Sequence, residues 1–294
     1  MRPADLAALA RERVVLLDGG VGSMLIAAGL EAGRAPESWV LEHPERVAAV
    51  HRAYAEAGSD IVHACTFGAT PPRLAAAGLE GRCREVNAGA VRLAREAVGG
   101  RALVAGDIGP TGTFLPPVGA ATTESLRAAF EAQAAALAEA GADLLSIETM
   151  SDLREARLAL EAGRRTGLAV IASMTFEPRR RGVFTVMGDA LVASLLALAE
   201  DGAGAVGCNC SVEPGPMLAM VREAAPRLPV PMAAQPNAGR PRLTAGGVVY
   251  DADPAAFAAA VKAMAEDGAR LVGGCCGTTP AFIRAARAAL DAGV

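Results

Sequence analysis

The sequence is poor in aromatic residues: seven Phe, two Tyr and one Trp make up 3% of its 294 residues. Lysine is nearly absent, Lys262 being the only one, and histidine occurs three times, as His43, His51 and His63. No block of Lys/Arg appears and the net charge is −4. A nucleic-acid footprint is therefore not expected. The longest apolar runs, such as Val14-Val15-Leu16-Leu17, are far too short to span a bilayer. The N-terminus lacks the order of a secretory signal, so a cytoplasmic location is expected. What is abundant is apolar sequence: the hydrophobic fraction is 52% against 20% charged, which excludes intrinsic disorder.

Short β-rich runs recur along the chain with helix-length Ala/Leu segments between them. They cover roughly 14–18, 60–66, 102–107, 143–148, 169–175, 204–210, 229–235 and 269–275. Near-continuous apolar runs suit strands buried on both faces of a parallel sheet. Pro44, Pro254 and Pro280 stand at first helical positions, with Asp253 and Thr279 as caps. Gly58, Gly141 and Gly268 stand where helix C-caps are expected. Eight βα units in one domain, 1–294, predict an α/β fold, a single (βα)8 TIM barrel. A doubly wound open sheet is the competing architecture. Segments 109–121, 176–188 and 236–250 read as long loops on the face where barrels carry their sites.

On a barrel the strand ends converge, bringing together Asp18, Cys65-Thr66, Asp107, Glu148, Thr175, Cys210, Gln235 and Cys275-Cys276. The six cysteines do not have the spacing of a disulfide scaffold. The ordinary role of such a cysteine is a small buried hydrophobe, which suits Cys83. Cys275-Cys276 differ, because Gly273, Gly274 and Gly277 surround them. With a cysteine after the sixth strand they supply three thiolates. Cys210 is preferred over Cys208 as nearer the strand end, and Cys208 is expected one layer deeper on the same face. Three sulfurs suit zinc, and no histidine is placed to complete its shell. An open fourth position on an electron-rich centre suits activation of a substrate thiol for alkyl transfer. Asp18 and Glu148 would then hold an ammonium, and backbone N–H groups of the Gly19–Ser23 turn a carboxylate. The competing roles are a turn cap for Asp18 and an arginine ion pair for Glu148.

In this order, seven motifs resemble the homocysteine S-methyltransferase family over nearly the whole chain. They are Asp18-Gly19-Gly20-Val21-Gly22-Ser23, Cys65-Thr66-Phe67-Gly68-Ala69, Gly106-Asp107-Ile108-Gly109-Pro110-Thr111, Ile147-Glu148-Thr149, Gly207-Cys208-Asn209-Cys210, Pro236-Asn237-Ala238-Gly239 and Gly273-Gly274-Cys275-Cys276-Gly277-Thr278-Thr279-Pro280. The family includes the homocysteine-binding module of cobalamin-dependent methionine synthase. The resemblance implies a (βα)8 barrel with zinc held by Cys210, Cys275 and Cys276, homocysteine thiolate as fourth ligand, and methionine as product. It implies that Asp18 and Glu148 meet the substrate amine, with Asn237 and the Gly19-Gly20 backbone nearby. Cys65 and Val21 depart from the residues usual at their positions. The expected donor is a sulfonium such as S-methylmethionine, or a separate methyl-corrinoid protein. The Gly106–Gly112 string resembles the methionine-synthase branch, and no Asp-x-His-x-x-Gly corrinoid signature occurs in the chain. Scarce aromatics disfavour a betaine donor. The other readings are a different thiol acceptor and a non-catalytic zinc- or thiol-binding barrel.

Overall fold

A computed structural model describes residues 1–31, 33–239, 241–244 and 247–292, those of 241–244 and 247–249 by their backbone alone. Eight parallel strands form the sheet: β1 Val15–Leu16, β2 Ile61–His63, β3 Leu103–Ile108, β4 Leu144–Met150, β5 Val170–Met174, β6 Ala205–Asn209, β7 Met232–Gln235 and β8 Ala269–Val272. β8 pairs with β1 in parallel. Between β1 and β2 the ladder is reduced to one bridge, Leu17 to Ile61. A peptide bond from Asp60 N–H to the Leu16 carbonyl at 2.7 Å and two carboxylates complete that seam. Asp60 Oδ2 accepts from the Leu16 N–H at 2.7 Å, and Asp18 Oδ2 accepts from the His63 N–H at 2.9 Å. The result is the expected (βα)8 barrel.

Helices between the strands bury the outward residues of the sheet. Gly58, Gly141 and Gly268 take left-handed conformations behind helices, as expected. Asp253 caps its helix by accepting from the Ala255 and Ala256 N–H groups. Thr279 occupies a cap position but its side chain makes no cap bond; its neighbour Thr278 supplies the local hydroxyl, donating to the Cys275 carbonyl at 2.6 Å.

Inside the barrel, inward positions change character along the axis. Val15, Leu17, Ile61, Ala105, Leu144, Ile171, Ala205, Ala233 and Leu271 form an apolar layer at the N-terminal end. Leu6 and Ala10 of the helix Pro3–Glu12 pack into it and close the floor. One pleat step toward the C-terminal ends, the inward residues are His63, Asp107, Ser146, Ser173, Asn209 and Gln235, all buried.

Two of the expected loops contain more order than sequence periodicity indicates. Within 176–188, Glu177–Arg179 pairs antiparallel with Gly182–Phe184. Within 236–250, Pro241–Thr244 pairs antiparallel with Gly247–Tyr250. Both hairpins follow barrel strands and stand on the mouth side. Among the described residues no helix is long and apolar enough to cross a membrane.

Candidate metal and substrate site

The backbone around the cysteines is tied down before any ligand is considered. Cys210 N–H donates to the Gln235 carbonyl at 3.0 Å, Cys275 N–H to Pro236 at 2.8 Å, and the Cys276 carbonyl accepts from Ala238 at 2.9 Å. The two glycine-rich turns interlock. A Cβ on Gly20 would stand 2.8 Å from the Cys275 carbonyl oxygen, so this approach needs glycine. Gly277, at φ 79°, lies under the Tyr250 ring, where a Cβ would stand 2.2 Å from Cγ.

Strand β6 stops at Asn209, and the next two residues turn left-handed, Cys210 at φ 61° and Ser211 at φ 58°. This corrects the expectation that Cys208 and Cys210 share a face. Inward positions on this strand are Ala205, Gly207 and Asn209, whereas Cys208 is buried among the outward residues. The strand pleat alone would send Cys210 outward too. The left-handed turn swings it into the mouth instead. Non-glycine residues at such φ are uncommon and concentrate at functional sites.

The thiols of Cys210, Cys275 and Cys276 thereby come together, all three within 4.8 Å of one another. Cys210 Sγ lies 3.9 Å from Cys276 Sγ, and Cys275 Sγ lies 4.0 Å from Cys276 Sγ. Hydrogen bonds from Cys275 and Cys276 pull Cys210 down to about 3, so one negative charge in the trio settles there. Cys276 moves the other way, to about 12, because it donates to that thiolate. Asn209 orients the cluster. Its Nδ2 reaches Cys275 Sγ at 3.9 Å and donates to Thr149 Oγ1 at 2.8 Å, while its Oδ1 accepts from Thr149 N–H at 2.7 Å. Thr149 is the other left-handed non-glycine residue of the barrel mouth, at φ 58°.

A cavity of about 220 Å³ opens beside the thiols. That is below the ~300–1,000 Å³ usual for drug-sized ligands, and it suits a small metabolite. Gly19, Gly20, Cys65, Glu148 and the three clustered cysteines line it, together with His63, Asp107 and Arg73. Cys65 is buried in the wall and is not part of the three-thiol group. Asn237 is buried behind Cys210 and bonds to that thiol, while its Oδ1 has no partner. The Gly20 N–H already faces Thr278, whose carbonyl and hydroxyl oxygens both lie at 3.2 Å.

Asp18 is fully buried and lies behind this wall. Its two oxygens are taken by His63, one by the backbone N–H and the other by Nδ1 at 2.6 Å. His63 Nε2 contacts Ser146 Oγ at 3.0 Å. Burial alone would depress the imidazole; the Asp18 carboxylate overrides it and raises His63 to about 10, with Asp107 and Glu148 adding to the effect. His63 is thus a charged residue in the throat of the barrel. Sequence reading considered it only as a fourth metal ligand and set it aside. The signal for its role was its inward position on β2, two residues after Ile61 and beside the strand that ends at Asp18. Glu148 is pushed up to about 7, first by burial, against the pull of His63, and further by Cys210 and Asp18.

The family model for homocysteine S-methyltransferase matches residues 15–290. Methionine synthase of Mycobacterium tuberculosis is 32% identical over 97% of this chain, and that of Mycobacterium leprae 31% over the same share. The matched region is 25% of each, so the chain spans about a quarter of the length of these curated relatives. Among solved structures, the metallated form of the homocysteine methyltransferase MmuM from Escherichia coli superposes with a TM-score of 0.80 at 28% identity. That match covers 96% of this chain and 99% of the other. With a barrel of this topology, three thiols at its mouth and a family match over nearly its whole length, the chain belongs to the homocysteine S-methyltransferase family.

Proposed function

We propose that this chain is a zinc-dependent S-methyltransferase that converts homocysteine to methionine. The observation that carries the reading is the sulfur trio facing an acidic cavity wall. Tetrahedral zinc with Zn–S near 2.3 Å puts its sulfurs about 3.8 Å apart. The spacings of 3.9 and 4.0 Å fit that geometry, and an all-thiolate donor set is one that zinc accepts. When bound, the ion supplies a fourth position for the substrate thiol and lowers that thiol's proton affinity.

The residues of the chain do the rest. Cys210, Cys275 and Cys276 hold the ion, and Asn209 and Asn237 fix the direction of two of the sulfurs. Glu148 receives the substrate ammonium. The Gly19–Ser23 backbone and Arg73, at the cavity rim, face the substrate carboxylate. His63 holds Asp18 in place, which ties the first strand end to the second.

The methyl group enters from the open face. Ile26, Phe114, Val118 and Val186 are the exposed large hydrophobics among the described residues, and all four follow barrel strands. A rim of this kind suits a donor carried by a protein, such as a methyl-corrinoid partner. The second donor class is a small sulfonium such as S-methylmethionine, which needs no protein carrier.

The test is methionine formation, read by mass spectrometry, from the zinc-loaded chain with homocysteine and either S-methylmethionine or methylcobalamin. Turnover with the sulfonium identifies a self-sufficient enzyme. Turnover with methylcobalamin alone identifies the corrinoid branch. No methionine from either donor, with zinc bound, overturns the reading.

A further inference from the structure

Asp18 is not among the residues that line the cavity: it is fully buried behind the wall, and each of its oxygens accepts a bond from His63. An ammonium in that cavity needs other carboxylates. Glu148 is one. The second is Asp107, which sequence reading placed at a strand end and gave no task.

Asp107 is held so that its side chain has one direction open to it. Its N–H donates to Thr66 Oγ1 at 3.0 Å. Its carbonyl accepts from Thr66 Oγ1 at 2.7 Å and from Gln133 Nε2 at 3.2 Å. On β3 it shares the inward face with Ala105, and in register it lies beside Ser146 of β4, two residues before Glu148. It is 6% exposed and lines the cavity, yet its Oδ1 is buried with no hydrogen-bond partner. An unpaired buried carboxyl oxygen is costly, and native structures keep few of them without a use. Burial and the nearby Glu148 push its pKa well up, and His63 opposes them. An ammonium brings three N–H donors and a positive charge, which answers both deficits.

We infer that Asp107 is a substrate-binding residue that receives the α-ammonium together with Glu148. The inference rests on the reading that the substrate is an amino-acid thiol held at the cysteine trio. The recognition it describes is selective: a thiol of the same length without an amine leaves Asp107 Oδ1 unpaired and gains nothing from it.

The experiment compares two thiols on the zinc-loaded protein by titration calorimetry, L-homocysteine and 4-mercaptobutanoate, which is homocysteine without the amine. The wild type is expected to prefer homocysteine. In Asp107→Asn, homocysteine binding is expected to weaken at least about tenfold, the loss typical of a charge-assisted bond. Binding of 4-mercaptobutanoate is expected to stay as in the wild type. Asp107→Ser, which adds no bulk, carries the same expectations if the Asn variant does not fold. Unchanged homocysteine affinity, or equal loss for both thiols, overturns the assignment. A wild type that binds both thiols equally overturns it while leaving thiol binding intact. A wild type that binds neither removes the functional reading beneath it.

Discussion

At the floor of the barrel Val15, Ile61, Leu144, Ile171 and Leu271 meet Leu6 from the N-terminal helix, all fully buried and all apolar. Farther along the axis the strands present His63, Asp107, Ser146 and then Glu148, with Asp18 just past the end of β1. The non-glycine residues at positive φ, namely Thr149, Cys210 and Ser211, stand at the mouth, and so do the unpartnered atoms Asp107 Oδ1 and Asn237 Oδ1. Nothing of that kind occurs in the floor layer. The contrast teaches a division of labour along one axis. Apolar packing at one end supports charge, strain and unmet hydrogen bonds at the other.

The largest effect that tests this division belongs to the mouth. Cys275→Ala is expected to release the metal and abolish turnover, while cooperative thermal unfolding persists, because the floor packing is untouched. Metal analysis and a calorimetric scan of one sample check both halves. Loss of folding along with the metal would mean that the two ends are not separate. The complementary change is at the floor. Leu6→Ala removes the side chain that closes the apolar layer and should cost ~2–5 kcal/mol in urea unfolding. Its folded fraction should bind zinc and turn over as the wild type does. The smallest and most graded effect is with pH. Glu148 titrates at about 7, so it is ionised above that pH and protonated below. Homocysteine affinity should therefore fall as pH drops through 7, approaching about tenfold per unit if the carboxylate is required. Thiol ionisation affects homocysteine and 4-mercaptobutanoate alike, so the ratio of their affinities isolates the carboxylate. A flat ratio between pH 6 and 8 would separate Glu148 from the amine.

Most of the architecture is legible in the sequence because parallel strands are apolar on both faces and helix ends use glycine, proline and Asp253 in local, chemically specific ways. The cysteine trio is legible for a related reason: close backbone approach around Cys275 requires the glycines that flank it. Side-chain direction was harder to read. The pleat rule misplaces Cys208, because it assumes the strand continues to Cys210, whereas the chain turns left-handed there. The task of Asp18 was obscured because its partner His63 is 45 positions away, and only the closed ring brings them to 2.6 Å. Asp107 looked like any strand-end acid. Its distinction is a missing partner, which is a property of three-dimensional packing. The hairpins on the mouth side were hidden by their glycine and proline content, which reads locally as loop.

The seam between β1 and β2 sets a rule for how this molecule can change over generations. Every other junction of the ring is a ladder of peptide hydrogen bonds, which nearly any sequence can supply. This one has a single bridge and the Asp60 N–H bond to the Leu16 carbonyl, and the carboxylates of Asp60 and Asp18 add two more bonds. Ring closure is thus shared with side chains, and one of them, Asp18, lies behind the wall of the substrate cavity. A descendant that retunes specificity has Val21, Cys65 and Asp107 to vary, since their alteration leaves the circle intact. Asp18 is different, for its replacement removes one of the bonds across the seam. Its persistence in a lineage would then record the demands of topology beside any demand of the substrate, and a count of invariant residues would not separate an architectural constraint from a chemical one.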